Sequence, residues 1–337
     1  MGRQLSAALL VVCLTGCFGS TDVHEWAGNT MGTTWSVKVV NLPAQIDTDE
    51  LAAEIDRVLD EIDASMSTYR NDSELMRFNA SSTADWFSVS AELAEVLNQA
   101  HHISDLTGGA FDVTVGPLVN LWGFGPGTKD QPLPDDSRIN ETRQRVGYRQ
   151  LITRDDPPAI KKLRQDLFVD LSAIAKGHGV DRISALLDDA GIVNYLVEIG
   201  GEVRSSGQKG LHGNWVIAVE QPVAFSRLVQ TTFALRNMAA ATSGDYRNFR
   251  EVQGRRYSHV IDPRTGRPTA HSVASVTVLA ESAAIADALA TAMLVLGEQE
   301  GLKLANDSNI AALFIARNGK QMRQLMSRRF SQLALAD

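Results

Sequence analysis

The chain has 337 residues, 44% of them hydrophobic and 21% charged, enough for one large globular domain or two intimate ones. Its formal net charge of -8 argues against nucleic acid as a partner; an anionic ligand would need positive charge supplied locally, by a metal ion or a few placed Lys and Arg residues. Only two cysteines are present.

In chain order, the first predicted element is an export signal. Arg3 precedes an apolar stretch from Ala7 to Leu14, and Leu14-Thr15-Gly16-Cys17 has the form of a lipobox. The apolar run is too short to span a bilayer as a helix. The expectation is a lipoprotein signal over residues 1–16, lipidation at Cys17, a lipidated tether over 17–28 and one catalytic domain over 29–337. Cys13 would leave with the signal, so the mature chain would have no internal disulfide, no cysteine nucleophile and no thiolate zinc site.

Thr33 to Val40 alternates and is β-branched, which predicts a strand. A helix is predicted after Thr48, with Leu51, Ile55, Val58, Leu59 and Ile62 on one stripe. Ser90 is placed to cap another, running past Leu93, Val96 and Leu97 and ending before Gly108-Gly109. Gly116 to Gly127, holding Trp122 and Phe124, reads as loop. The polar segment 128–166 predicts one surface helix and a hairpin turning at Asp155-Asp156-Pro157-Pro158. From Leu167 the expected order is strand, loop, helix, strand, ending at Gly200-Gly201. Strands are expected around Val216, Phe233 and Val276, then an alanine-rich helix from Ala283 to Leu296 and a hairpin at Asn318-Gly319. The fold class is mixed α/β (α+β), with one compact domain or two lobes.

Four stretches could carry chemistry. Asp287 is the only charged residue between Glu281 and Glu298, and Thr291 follows at i+4 on the same helical face. Two oxygens there suit a hard cation such as magnesium, and equally describe an ordinary helix edge. Asp170 to Gly179 marks a junction into a helix, where free N–H groups attract an anion and Lys176 adds a point charge; a purely structural junction has the same look. His259, beside the turn Asp262-Pro263-Arg264-Thr265-Gly266, is a general base or a hydrogen-bonded core histidine. Thr242 to Tyr246 reads as a small-residue turn for ligand contact, with no nucleophile elbow. His101-His102 has no partner at a metal-ligand spacing and reads as surface.

Together these runs resemble the ApbE family, the FAD:protein FMN transferases. The resemblance extends from about residue 29 to the C-terminus and rests on seven motifs in order. They are Thr30 to Trp35, Met66 to Arg70, Gly108 to Pro117, Asp170 to Gly177, Ala241 to Tyr246, Ser258 to Pro268 and Ala286 to Thr291.

The resemblance implies an ApbE-like fold with the FAD site in a cleft. It also implies magnesium-dependent transfer of FMN from FAD to a threonine hydroxyl in a Ser/Thr-Gly-Ala-Thr type motif of an exported redox protein, with AMP leaving. Acceptors would be subunits of sodium-pumping or related electron-transport complexes. Carried over by position, the metal falls to Asp287, Thr291 and the backbone carbonyl of Ala173. FAD contacts fall on Met31, Tyr69, Ala110, Phe111, Asp112, Asp170, Lys176 and Ile261, and His259 becomes the candidate catalytic base. Tyr at position 69 is associated with transferase members, whereas Asn there accompanies hydrolysis of FAD to FMN and AMP. His178 stands where an aromatic such as Tyr is common, a departure expected to matter little. The implied location is the periplasmic side of the inner membrane, lipid-anchored, with the outer membrane as alternative. The competing functions are an FAD pyrophosphatase and a non-catalytic FAD-binding lipoprotein.

Overall fold

The computed structural model describes residues 22–125, 128, 131–210, 213–223, 228–319 and 321–334; the expected signal and Cys17 lie outside them. The first element is β1 (Val23–Thr30), paired antiparallel along its whole length with β2 (Thr33–Val40). Met31-Gly32 makes the turn with both residues at positive φ, 47° and 72°, as a tight two-residue hairpin requires. The tether expected over 17–28 is therefore corrected: from Val23 onward the chain is sheet. Its alternate residues are half-buried, and Gly28 lies under the indole of Trp35, where a Cβ would come within 2.7 Å of Nε1.

α1 (Thr48–Met66) is capped by the carboxylate of Asp47 and buries the expected stripe, extended to Met66. α2 (Glu74–Ala80) and β3 (Phe87–Ser88) follow, then α3 (Ala91–Leu106) with Ser90 as its cap. The stretch expected as loop from Gly116 opens instead as a short buried helix, α4 (Gly116–Leu121), with Pro117 in its first turn. α5 (Asp136–Arg143) and the hairpin of β4 (Leu151–Asp155) and β5 (Pro158–Lys162) are the predicted surface helix and hairpin.

No strand forms at Leu167. The extended chain there has one side chain for a ladder partner: Asn79 donates to the Val169 carbonyl and accepts from its N–H, each at 2.8 Å.

α6 (Ala175–Asp189) leads into β6 (Tyr195–Ile199) and β7 (Glu202–Ser206), followed by the hairpin of β8 (Trp215–Glu220) and β9 (Val229–Leu235). β10 (Ala239–Gly244) occupies what was expected as the start of a small-residue turn, so Thr242 and Ser243 are strand residues. Two hairpins come next, β11 (Phe249–Val252) with β12 (Arg255–Ser258) and β13 (Ile261–Asp262) with β14 (Arg267–Pro268). β15 (Val273–Ala280), α7 (Ala283–Asp307), β16 (Ala311–Asn318), β17 (Gln321–Met326) and α8 (Arg328–Ala334) complete the chain. The helix expected to end at Leu296 breaks at Gly297 (φ 73°), beside the ring of His271, then resumes to Asp307.

Eight strands form one antiparallel sheet in the order β1-β2-β6-β7-β10-β15-β16-β17. Along β16, Ala312, Phe314 and Ala316 face the main core with α1, α3, α6 and α7; Ala311, Leu313 and Ile315 face a second core closed by α8 and the β8–β9 hairpin. Cover on both faces explains the near-continuous apolar runs of β15 and β16, which lack the alternation of a half-exposed strand. The mixed α/β single domain expected from sequence is thus what forms. No helix among the described residues is long and apolar enough to cross a membrane.

Candidate active site

α6 and α7 meet at Gly177, where a Cβ would come within 2.3 Å of the Ala283 carbonyl oxygen. Only glycine permits this approach, which sets Lys176 beside Asp287. Asp181, one turn along α6, accepts hydrogen bonds from Ser282 Oγ (2.7 Å) and from the N–H groups of Ala283 (2.9 Å) and Ala284 (3.0 Å) at the start of α7. A carboxylate from one helix therefore caps the next and fixes their register.

Lys176 Nζ lies 3.2 Å from Asp287 Oδ2 and 3.5 Å from Glu202 Oε1, and Gly177 N–H also donates to Asp287 Oδ2 (3.3 Å). Burial alone would lower the Lys176 ammonium's pKa, but the two carboxylates outweigh it and hold it well above the usual lysine range. Glu202 moves the opposite way: burial raises its carboxyl, Lys176 offsets part of this, and neighbouring Asp287 adds to the rise. Its Oε2 is buried without a hydrogen-bond partner. Glu202 was not anticipated. It arrives through the turn Gly200-Gly201, both at positive φ, and a Cβ at Gly200 would press on Thr33 and Lys176.

Across the cleft, His259 Nδ1 lies 2.8 Å from the Asn248 carbonyl oxygen. A carbonyl only accepts, so the proton sits on Nδ1 and Nε2 carries a free lone pair. Burial pushes the imidazole below its ordinary value, opposed by the Asn248 bond and by the charge of Asp245. Phe124 meets the ring edge-on at 6.2 Å. In the same cleft, Ser243 Oγ and Thr291 Oγ1 are hydrogen-bonded at 2.9 Å.

These groups share one cleft of about 460 Å³. Tyr69, Ala110, Phe111, Asp112, Asp170, Ala173, Lys176, His259, Ile261, Asp287 and Thr291 all line it. Met31 does not; its side chain packs towards Gly179 of α6. Tyr69 stands at the rim, 74% exposed, while Phe111 is buried. Asp112 also serves structure: its carboxylate accepts from Thr114 N–H and Oγ and from Tyr148 N–H, and burial raises its pKa against these bonds. Asp170 holds Ser172 through its N–H and hydroxyl, and its own N–H donates to Val113 at 2.7 Å. His101 bonds the Tyr148 carbonyl at 3.1 Å, away from the cleft.

Among the described residues no cluster of three or more His, Cys, Asp or Glu side chains forms a cage. Asp287, the Thr291 hydroxyl and the Ala173 carbonyl, with the buried orphan oxygen of Glu202 nearby, are hard oxygen donors. Such a partial set suits magnesium, which keeps several waters and takes substrate phosphate oxygens.

A model of the ApbE family matches residues 31–314. A Vibrio cholerae protein named FAD:protein FMN transferase is 43% identical over 330 residues, covering 98% of each chain. The protein of the same name from Escherichia coli K12 is 36% identical over 94% of this chain and 91% of its own. Among solved structures, the flavin transferase ApbE from Vibrio cholerae superposes with a TM-score of 0.86 at 42% identity, covering 93% of this chain and all of that one. The apo form of the Pseudomonas stutzeri flavinyl transferase ApbE also gives 0.86, at 37% identity over 94% of this chain and 98% of its own. With the family model and near full-length relatives in agreement, the chain belongs to the ApbE family.

Proposed function

We propose that the protein transfers the FMN half of FAD to a threonine hydroxyl of a target protein and releases AMP. The observation that carries this reading is the meeting, in one cleft, of a Lys176–Asp287 pair, the Ser243 and Thr291 hydroxyls and an imidazole with a free Nε2. In the reaction the acceptor oxygen forms a bond to the FMN phosphorus while the bond from that phosphorus to the AMP oxygen breaks. His259 Nε2 takes the threonine proton as attack proceeds, and its lowered pKa keeps it unprotonated at neutral pH. Lys176 supplies fixed positive charge to the pyrophosphate in an otherwise acidic chain, and the cleft walls hold the acceptor in line.

Asp287, Thr291 and the Ala173 carbonyl would hold magnesium, which when bound neutralises pyrophosphate charge and stabilises the leaving AMP. Tyr69, at the rim, offers an aromatic face to the flavin end, and buried Phe111 backs the cleft wall. The lipobox supports export and a lipid tether through Cys17. The family resemblance supports the periplasmic side of the inner membrane and acceptors among electron-transport subunits bearing a Ser/Thr-Gly-Ala-Thr type motif.

The test is intact-mass spectrometry of an acceptor fragment bearing that motif, incubated with FAD, magnesium and the protein lacking its lipid. A gain of one FMN, lost with Asp287→Ala or EDTA, is the expected result. Release of FMN and AMP without adduct would establish hydrolysis instead. FAD binding without either product would leave a carrier.

A further inference from the structure

Asp245 is a buried carboxylate with no assigned role, and its contacts lead to His259. It follows β10 directly, its N–H donating to the Ala274 carbonyl of β15 at 3.0 Å. Both carboxylate oxygens are taken by the Arg317 guanidinium of β16, Nη1 at 3.0 Å and Nη2 closer. Arg256 of β12 adds a second guanidinium, 3.7 Å from Oδ1, and donates to the Asp245 carbonyl at 2.6 Å. Three elements thus clamp the start of the segment Asp245 to Asn248. That segment ends at the Asn248 carbonyl, which receives both His259 Nδ1 (2.8 Å) and His259 N–H (3.4 Å).

We infer that Asp245, gripped by Arg317 and Arg256, is the positioning residue for His259: it places the Asn248 carbonyl that fixes the imidazole's tautomer, and its charge offsets the two guanidiniums that hold it. The inference rests on His259 being the base. Glu251 and Arg255 of the β11–β12 hairpin are exposed to solvent, and other charged groups on the surrounding elements have partners. Arg247 pairs with Glu220, Arg250 donates to the Trp122 and Gln131 carbonyls, and Asp262 pairs with Arg264. Lys176 and Asp287 face the ring across the cleft, paired with each other. The clamp is therefore the balance that a single substitution would tip.

The two sides of the clamp have opposite consequences. Asp245→Asn removes a negative charge and leaves both guanidiniums, making the imidazolium harder to form. Arg317→Met leaves Asp245 under-compensated and makes it easier to form. The titration midpoint of His259 should fall in the first variant and rise in the second, by on the order of half a pH unit. Arg317→Lys, which keeps the charge, should stay near wild type.

The measurement is nitrogen-15 NMR of labelled histidines between about pH 5 and 8. His259→Gln assigns the resonance, and the acid limb of kcat/KM for FMN transfer is recorded in parallel. The expected outcome is an Nδ1–H tautomer in the wild type, opposite midpoint shifts in the two variants and an acid limb that follows them. If Asp245→Asn does not fold, the Arg317→Met and Arg317→Lys pair decides. Unchanged midpoint and tautomer in folded variants overturn the inference, as do midpoints that move while the acid limb stays. Failure of the functional reading is separate: it would appear as no FMN adduct from the wild-type protein at any pH.

Discussion

Tyr69 is the cleft residue with least structural obligation. It is 74% exposed, whereas Phe111, on the same cleft, is buried in the main core. A ring exposed to that extent contributes little to folding, and its apolar face is free to stack on a flavin. Tyr69→Asn should therefore leave the urea midpoint almost unchanged, within about 0.5 kcal/mol. Its effect should fall on FAD retention and on the ratio of free FMN and AMP to protein adduct, which should rise. Chromatography of flavin products beside intact-mass analysis measures that ratio; an unaltered ratio would remove Tyr69 from any part in choosing water or threonine. At this scale the sequence was informative about residue types. Asp287 was conspicuous as a lone charge on an apolar helix, and His259 and Lys176 stood in recognisable runs. Their partners were not legible. Glu202 reaches Lys176 through a glycine turn, and the Asn248 carbonyl that sets the His259 tautomer has no side-chain signature.

Between elements, the contact between α3 and α6 has a defined dependence on pH. Glu92 of α3 accepts from His178 Nε2 at 2.6 Å and from Arg182, both on α6. The His178 bond is the main cause of its fall from 4.5 to about 2, with burial working against it and Arg182 assisting. A carboxylate lowered in the folded state stabilises it fully above the unfolded value, and that stabilisation is lost as pH falls through 4.5 towards 2. Glu92→Gln should cost on the order of 1–3 kcal/mol at neutral pH, with the difference from wild type shrinking towards pH 2.5. Urea midpoints at the two pH values decide; a gap that stays constant would assign the loss to packing. His178, expected to matter little, is thus an inter-helix contact on the helix that carries Lys176.

The same scale separates what periodicity revealed from what it missed. α1 and α3 have clear stripes and side-chain caps, and the hairpins have turn residues between them. β10 begins with three alanines buried on both faces and has no β-branched residue before Thr242, so it gave no strand signal. The strand expected at Leu167 failed because its partner is the Asn79 amide, ninety positions away, which local pattern cannot register.

For the molecule as a whole, the early start of β1 limits what the proposed lipid anchor could do. Sheet begins at Val23, six residues after Cys17, so the covalent path between them reaches at most about 20 Å at roughly 3.4 Å per residue. An acylated Cys17 would hold the β1 edge close to the headgroups instead of letting the domain roam on a long leash. A short tether raises the effective concentration of the enzyme towards acceptors in the same membrane and does nothing for soluble ones. Cys17→Ala, produced with an export signal that needs no lipidation, should therefore fractionate as soluble protein. It should transfer FMN to a soluble acceptor fragment at the wild-type rate. Its rate towards a membrane-embedded acceptor, followed by in-gel fluorescence of the covalent flavin, should fall roughly 10-fold or more at limiting enzyme. Equal loss on both acceptors would mean that the substitution harmed the domain itself. No loss on either would mean that the anchor has no part in choosing substrates, and that recognition lies in the cleft and its rim.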